Sequence, residues 1–555
     1  MNNDLRALVT IAIATSVLGP AIHARAAGTA TNAPAAGAST ATNAVPVVPT
    51  STTDPVLSLL LEKGMITEDE AQKTQAQADA LRTNMAAEYA SENTKWRFAP
   101  SIKDIEIYGD FRVRYEGRNE IAPSGGQINL DRFRYAVRLG LRGDVYDDFY
   151  YGVRMETSSN PRSTWVTMGG STPDPYGKSA SGIAIGQVYL GWKPESWFDF
   201  TVGKMPNPLY TSSLLWSSSI DPEGLSERLK YTIGDMDVFA NFAQFLYQDE
   251  NPDTATKGLY GSGVNSGSLL GQTADNIVQV VWGGGINYHL TKDLSAKAGV
   301  NLYQYYGLTR STVNQGVSPY FGDDYVGEGA YLGKGSIYPV NGYSGTGTSG
   351  TVIGFESSGY PNNQTGLDYL TVLEIPAEIN YHFKHVDVRA FGDFAYNLQG
   401  AQRADAAATG YADYLKYEAS LGNTVTVKPF KPQTHDVKAY QFGVAVADKD
   451  CVGLVNGSVS KKHGWELRTY WQHIEQYSLD PNLLDLDYMA GAENLEGIYA
   501  AASYGFSDNF IGTFRYGYAS RINHVVGTGG TGTDITQINP INYYQLFQVD
   551  LTYKF

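Results

Sequence analysis

The sequence predicts an all-β protein, a transmembrane antiparallel up-and-down β-barrel of about sixteen strands with a short N-terminal helical segment. Three observations predict it. First, the chain ends YYQLFQVDLTYKF, with Tyr543, Phe547, Val549, Leu551, Tyr553 and Phe555 on one parity and Gln548, Asp550, Thr552 and Lys554 on the other. A strand patterned this way offers one face to lipid and one to water. Second, period-two alternation persists from Ile105 to the C-terminus. Third, short and long connections between the strands follow one another in turn, which a secreted sandwich or solenoid has no reason to do.

The N-terminal elements come first. Residues 1–26 read as a signal peptide: Arg6 precedes the apolar run Ala7 to Leu18, and Ala24-Arg25-Ala26 supplies a cleavage site, although Asp4 is atypical of such a leader. Residues 27–53 are Ala, Thr, Pro, Gly and Ser, too polar and small to bury a core, and are expected to be a disordered linker. Residues 54–92 are expected to form a periplasmic helical, coiled-coil segment. Val56, Leu57, Leu59, Leu60 and Leu61 make a short apolar helix that Gly64 can end. Thr67-Glu68-Asp69-Glu70 is a capping box. Beyond it Ala71, Thr74, Ala78, Leu81 and Met85 recur every three or four residues, as in a coiled-coil seam or on one side of a solvated helix.

The barrel is expected over residues 105–555. Its strands are Ile105–Glu116, Asp131–Tyr146, Phe149–Thr157, Gly182–Lys193, Phe198–Lys204, Glu227–Ile233, Met236–Tyr247 and Ile277–Leu290. The rest are Asp293–Tyr306, Tyr369–Phe383, Val386–Asn397, Asp436–Ala447, Gly464–Glu475, Asn494–Phe506, Asn509–Ser520 and Tyr543–Phe555. Connections such as Asp147-Asp148 and Gly234-Asp235 are short, whereas Gly117–Leu130, Met205–Ser226 and Gln476–Glu493 are long. Asp448–His463 is the one medium-length exception among the short turns. With an even strand number both termini fall on the periplasmic side.

Composition agrees. Among 555 residues there are 40 Tyr and 60 Gly, as a barrel with aromatic girdles requires. No run of about 18 apolar residues follows the N-terminus, so no transmembrane helix is expected. The net charge of −16 argues against nucleic acid as a partner. The one cysteine, Cys451, has no partner for an internal disulfide. No cofactor and no metal is expected.

Parity assigns the charges. On the first strand Ile105, Ile107, Phe111, Val113 and Tyr115 point one way, and Glu106, Asp110, Arg112, Arg114 and Glu116 the other. On the second, Arg132, Arg134, Arg138 and Arg142 alternate with Phe133, Tyr135, Val137, Leu139 and Leu141. A lipid-facing Arg at mid-bilayer costs about 2–4 kcal/mol, so four on one strand must face water. Arg154, Arg228, Lys230, Arg389, Arg468 and Arg515 follow the same rule and complete the expected pore lining. The seventh and twelfth strands alternate too poorly for their faces to be assigned. About sixteen strands leave room for water, whereas about eight would be filled by side chains.

One connection, MPNPLYTSSLLWSSSIDPEGLS at 205–226, is too apolar for a fully solvated loop. Folded inward it buries Leu209, Leu214, Leu215 and Trp216, and it carries Asp221 and Glu223, with Glu227 just beyond. Acids there, facing the arginines, would set a transverse field at a constriction. An external lid or a latch between subunits would bury the same residues.

Three motifs, LLLEKGMITEDEAQ, DRFRYAVRLGLRG with YYGVRMET, and VGKMPNP with LLWSSSIDPEGLSERLKY, resemble the "putative porin" family of Gram-negative bacteria, similar in plan to the phosphate-selective porins. The terminal Phe555 is similar to that of bacterial outer-membrane barrels. The resemblance implies a channel in the outer membrane that passes small hydrophilic solutes or ions and is often a homotrimer. It also implies anion preference through Arg112, Arg114, Arg132, Arg134 and Arg138.

Other functions fit less well. For an enzyme, no Ser or Asp partner can be placed beside a histidine from sequence, so no catalytic residue is assigned. A gated receptor needs a large plug domain, which the helix and linker do not supply. Envelope tethering, with the N-terminal helix touching the cell wall or a periplasmic partner, is compatible with a secondary pore.

Overall fold

The computed structural model describes residues 63–67, 69–80, 101–121, 125–158, 163–169, 182–248, 277–306, 340–341, 351–352, 369–405, 432–480, 483–524 and 541–555. The chain divides into two compact units, Met1–Arg97 and Phe98–Phe555, and each is described by itself.

In the first unit residues 69–80 are helical. The capping box forms as the sequence expects: the Glu70 amide donates to Thr67 Oγ1 (3.3 Å), and the Thr67 amide donates to Glu70 Oε2 (2.9 Å). That backbone hydrogen bond holds the Glu70 carboxyl below its usual range. This stabilisation exists above the unfolded pKa and fades as pH falls through the lowered one. The signal peptide, the linker at 27–53, and Leu81 and Met85 of the seam lie outside the described residues.

The second unit is a closed antiparallel barrel of 16 strands, as expected. They are β1 (Glu106–Ile121), β2 (Gln127–Asp144), β3 (Phe149–Ser158), β4 (Gly182–Glu195), β5 (Phe198–Lys204), β6 (Glu223–Ile233), β7 (Met236–Gln248) and β8 (Ile277–His289). Then come β9 (Leu294–Tyr306), β10 (Thr371–His382), β11 (Val386–Asn397), β12 (Lys438–Asp448), β13 (Trp465–Ile474), β14 (Leu495–Gly505), β15 (Phe510–Arg521) and β16 (Tyr543–Lys554). A two-residue strand, Val166–Thr167, pairs with β2 above the end of β3.

Closure joins β1 to β16, with Asp110 opposite Lys554 and Ile121 opposite Tyr543. Phe555 extends the seam: its amide donates to Gly109 O (3.1 Å), and its ring stacks on Phe111. Gly109 is required there, because a Cβ would lie 2.3 Å from Arg138 O.

Strand ends depart from expectation by more than two residues in two places. β1 and β2 run on to Ile121 and from Gln127, so the first reversal is 122–126 rather than 117–130. β6 begins at Glu223 rather than Glu227, which shortens the expected 205–226 loop to 205–222. β5 has only 7 residues, so the chain leaves the wall there part-way up.

The outer face is apolar. Phe111, Val113, Leu139, Leu190, Trp282, Ile379, Phe442, Leu467 and Phe514 all point outward and are exposed. Tyr146, Tyr231, Tyr288 and Phe383 ring the short-turn end, and Tyr306, Tyr369, Tyr518 and Tyr543 the other. A belt of this kind far exceeds the few hundred Å² that soluble monomers leave exposed, and hydrocarbon is the medium that fits it.

β7 and β12 blur the alternation for a physical reason. On β7 the inward residues Ala243 and Phe245 are apolar and buried, and Phe245 packs on Trp216 of the 205–222 loop. On β12 the inward Ala439, Ala445 and Ala447 are small and buried. In both places inserted chain rather than water covers the inner wall.

Candidate pore and its constriction

The β1–β2 register places Glu106 opposite Arg142, Asp110 opposite Arg138, and Glu116 opposite Arg132. It also places Arg114 directly opposite Arg134. Two guanidinium groups so close repel by several kcal/mol at an effective dielectric of about 20, so carboxylates must sit among them.

They do. Glu116, fully buried, accepts from Arg132 (2.6 Å), Arg134 (3.4 Å) and Gln548 (3.1 Å). Arg114 donates twice to Asp550 (2.6 and 2.9 Å) and once to Asp487 (2.7 Å). Its guanidinium carbon lies 4.0 Å from the Trp165 ring centroid. Arg515 donates to the same Asp550.

The remaining cations are paired too. Arg112 meets Asp110 (2.7 Å), Arg138 meets Glu156 (3.5 Å), and Arg142 meets Glu106 (2.6 Å). Arg228 meets Asp199 (2.6 Å), Lys230 meets Asp237 (3.1 Å), Arg389 meets Glu378, and Arg468 meets Glu466 (2.6 Å). Arg154 meets both Glu156 (3.0 Å) and Asp221 (2.5 Å). The guanidinium wall read from sequence is therefore a charge-balanced network.

Loop 205–222 crosses the interior. At one end Asp221 accepts from Arg154 on β3 and from Gln187 on β4 (2.8 Å). Further along, Thr211 Oγ1 donates to Glu374 on β10 (2.5 Å), and Ser212 Oγ donates to Asp393 on β11 (2.6 Å). Asn301 on β9 donates to Tyr210 O (2.8 Å). β3 and β10 are nearly half-way round the barrel from one another. Leu214, Leu215 and Trp216 are buried in the span between them.

A cavity of about 670 Å³ lies beneath this span, lined by Arg112, Arg138, Arg154, Trp165, Asp221, Arg389, Arg468 and Arg515 among others. A smaller one of about 390 Å³ lies between the loop base and β4–β9, beside Arg228, Lys230 and Lys297.

A family model described as Putative porin matches residues 120–555. The chain belongs to this family. Membership places it among outer-membrane channels. The barrel is also similar to three solved structures. An anion-selective porin from Comamonas acidovorans is 11% identical, with 81% of this chain and 99% of that one covered at a TM-score of 0.37. Outer-membrane expressed OmpT of Vibrio cholerae is 10% identical, with 81% and 97% covered at a TM-score of 0.33. A mutant of Rh. blastica porin is 9% identical, with 81% and 100% covered at a TM-score of 0.32. Comparison with curated proteins finds no match.

Two residues expected at the constriction lie elsewhere. Glu223 and Glu227 belong to β6 and share the outward parity of Leu225 and Tyr231. Glu223 pairs with Lys204 (2.6 Å), and Glu227 sits between Phe200 and Phe242 in the register. Trp216 and Asp221 remain in the inward loop.

Sequence reasoning missed a second inserted segment. Residues 476–493, expected as an external loop, bury Leu479, Leu484, Tyr488 and Met489. Leu483 O accepts from the Ser217 amide (2.7 Å), so the two inserted loops touch. The signal was the same apolar excess that marked the first loop, in LLDLDYMAG.

His382 pairs with Asp387 (2.9 Å) and His473 with Glu496 (2.9 Å). Among the described residues no serine, threonine or cysteine hydrogen-bonds either ring, and no group of three His, Cys, Asp or Glu is arranged for a metal.

Proposed function

We propose that the chain is a passive outer-membrane pore for small hydrophilic solutes or ions. In this reading the paired cations line the lumen, and loop 205–222 with Trp216 and Asp221 sets its width. The observation that carries it is the loop's span from Arg154 to Glu374 and Asp393 across a closed barrel. Because the arginines of the lining each have a carboxylate beside them, ion selectivity is expected to be weak, and solutes are sorted by size and hydrogen bonding.

Single-channel recording in planar bilayers tests this. Wild-type protein should give discrete steps with a reversal potential near zero in a salt gradient. Arg134→Glu with Arg138→Glu should move that potential toward cations, because Glu116 and Glu156 then lose their compensation. An unmoved potential places these side chains outside the conduction path.

Homotrimeric assembly belongs to the same reading. Glu227 faces outward within the apolar belt, with no cation within 4 Å among the described residues. Lipid is a poor neighbour for it, and a second copy is a better one. Glu227→Lys should weaken oligomers on native gels. A full-size oligomer in that variant would rule the β5–β7 face out as the interface.

A further inference from the structure

The connection between β12 and β13, residues 449–464, lies at the short-turn end, where hairpins commonly use about two to five residues. Its neighbours fix that location: the Lys449 amide donates to His385 O (3.2 Å), and the Lys462 amide to Asp508 Oδ1 (2.8 Å), both in short turns. Yet its middle does not lie at the rim. Leu454 and Val455 are buried, and the stretch 454–457 lines the same 670 Å³ cavity that Ser217, Ser219 and Asp221 of the crossing loop line.

Inward side chains of three strands grip it. Glu466 on β13 accepts from the Gly453 and Val455 amides, both at 2.9 Å. Arg468 on β13 donates to Asn456 Oδ1 (2.9 Å), and Arg515 on β15 donates to Val455 O (3.2 Å). Lys554 on β16 donates to Gly457 O. Gly453 (φ +108°) and Gly457 (φ +68°) supply backbone conformations that L side chains rarely adopt, which lets the segment reverse within so small a space. The segment is thus built into the lumen by polar contacts from the barrel wall, as the crossing loop is. On β12 the small inward residues Ala445 and Ala447 are buried.

We propose that this turn is a second constriction, entering from the end opposite to loop 205–222 and in series with it. It makes the 670 Å³ cavity a chamber narrowed at both ends. The tip presents a neutral amide, Asn456, and backbone groups, so it selects by size and hydrogen bonding, not by charge. Three of the lumen's basic groups (Arg468, Arg515 and Lys554) are committed to holding the turn and are not free to meet an anion. This inference rests on the reading of the chain as a channel.

The test uses full-length protein in planar bilayers. Resistances in series add, so replacing Val452–Ser460 by two glycines should raise conductance about twofold if the two constrictions contribute equally. The gain should be larger when loop residues 209–220 are also removed. A second measurement avoids dependence on the folding of that deletion. In a Cys451→Ser background, Asn456→Cys is the only thiol in the chain, and a bulky neutral thiol reagent added to the open channel should cut conductance by about half. Complete labelling, verified by mass, with conductance unchanged overturns the second constriction. A wild-type protein that forms no channel at all overturns the underlying reading instead.

Discussion

Arg114→Met is expected to cost the barrel about 3–5 kcal/mol of stability, the usual penalty for leaving buried charges without their partner. Arg114 is 3% exposed and serves three acids: Asp550, Asp487 and Glu116. Methionine fills most of its volume but leaves Asp487 without its close donor and Asp550 with Arg515 alone. Arg142→Met is the control. Arg142 also pairs closely, with Glu106 at 2.6 Å, but the two side chains are 52% and 57% exposed. Solvent screens that pair, and its loss should shift the midpoint far less than Arg114→Met does. Urea titration followed by the gel shift between folded and unfolded barrel reads both. Adding Asp550→Asn to Arg114→Met should recover part of the loss, because one uncompensated charge goes with it. Equal midpoints for the two single variants would show that the central network is as solvated as the rim.

The contrast between these arginines also marks what the sequence could reveal. Strand identity was legible because lipid outside and water inside impose opposite demands on alternate residues. The exceptions were β7 and β12, where buried inward Ala and Phe break the pattern. The partner of each arginine was only half legible. Glu106, Asp110 and Glu116 stood on the right parity, and a reversal between Ile121 and Gln127 is enough to place them opposite Arg142, Arg138 and Arg132. Asp550 could not be found this way. It reaches Arg114 across 436 positions of sequence, and only closure of the last strand on the first brings them together. Asp487 and Trp165 come from connections whose path no periodicity describes. Glu223 is misplaced because β6 starts four residues earlier than its alternation suggests, whereas the outward parity of Glu227 was already legible from the inward Arg228 beside it.

Deleting Leu209–Ile220 should raise single-channel conductance about two- to threefold, since the segment removed spans the lumen between β3 and β10. Asp221 is kept so that Arg154 retains its partner. The deletion uncovers inward apolar wall at Ala243, Phe245, Val281 and Tyr303, which the loop cluster now buries. Some stability is therefore lost along with the obstruction, at roughly 25 cal/mol per Å² exposed. Thr211→Ala with Ser212→Val separates tethering from occupancy. These changes remove the two hydroxyl donors to Glu374 and Asp393 but leave the loop's bulk in place. Each hydrogen bond is worth about 1 kcal/mol net, and two buried acceptors are left short of a donor. The loop should then detach intermittently, giving a noisier current whose peaks approach the level of the deletion. A folded deletion variant that conducts like wild type would mean that solutes pass beside this loop, and that the narrowest point lies lower in the barrel.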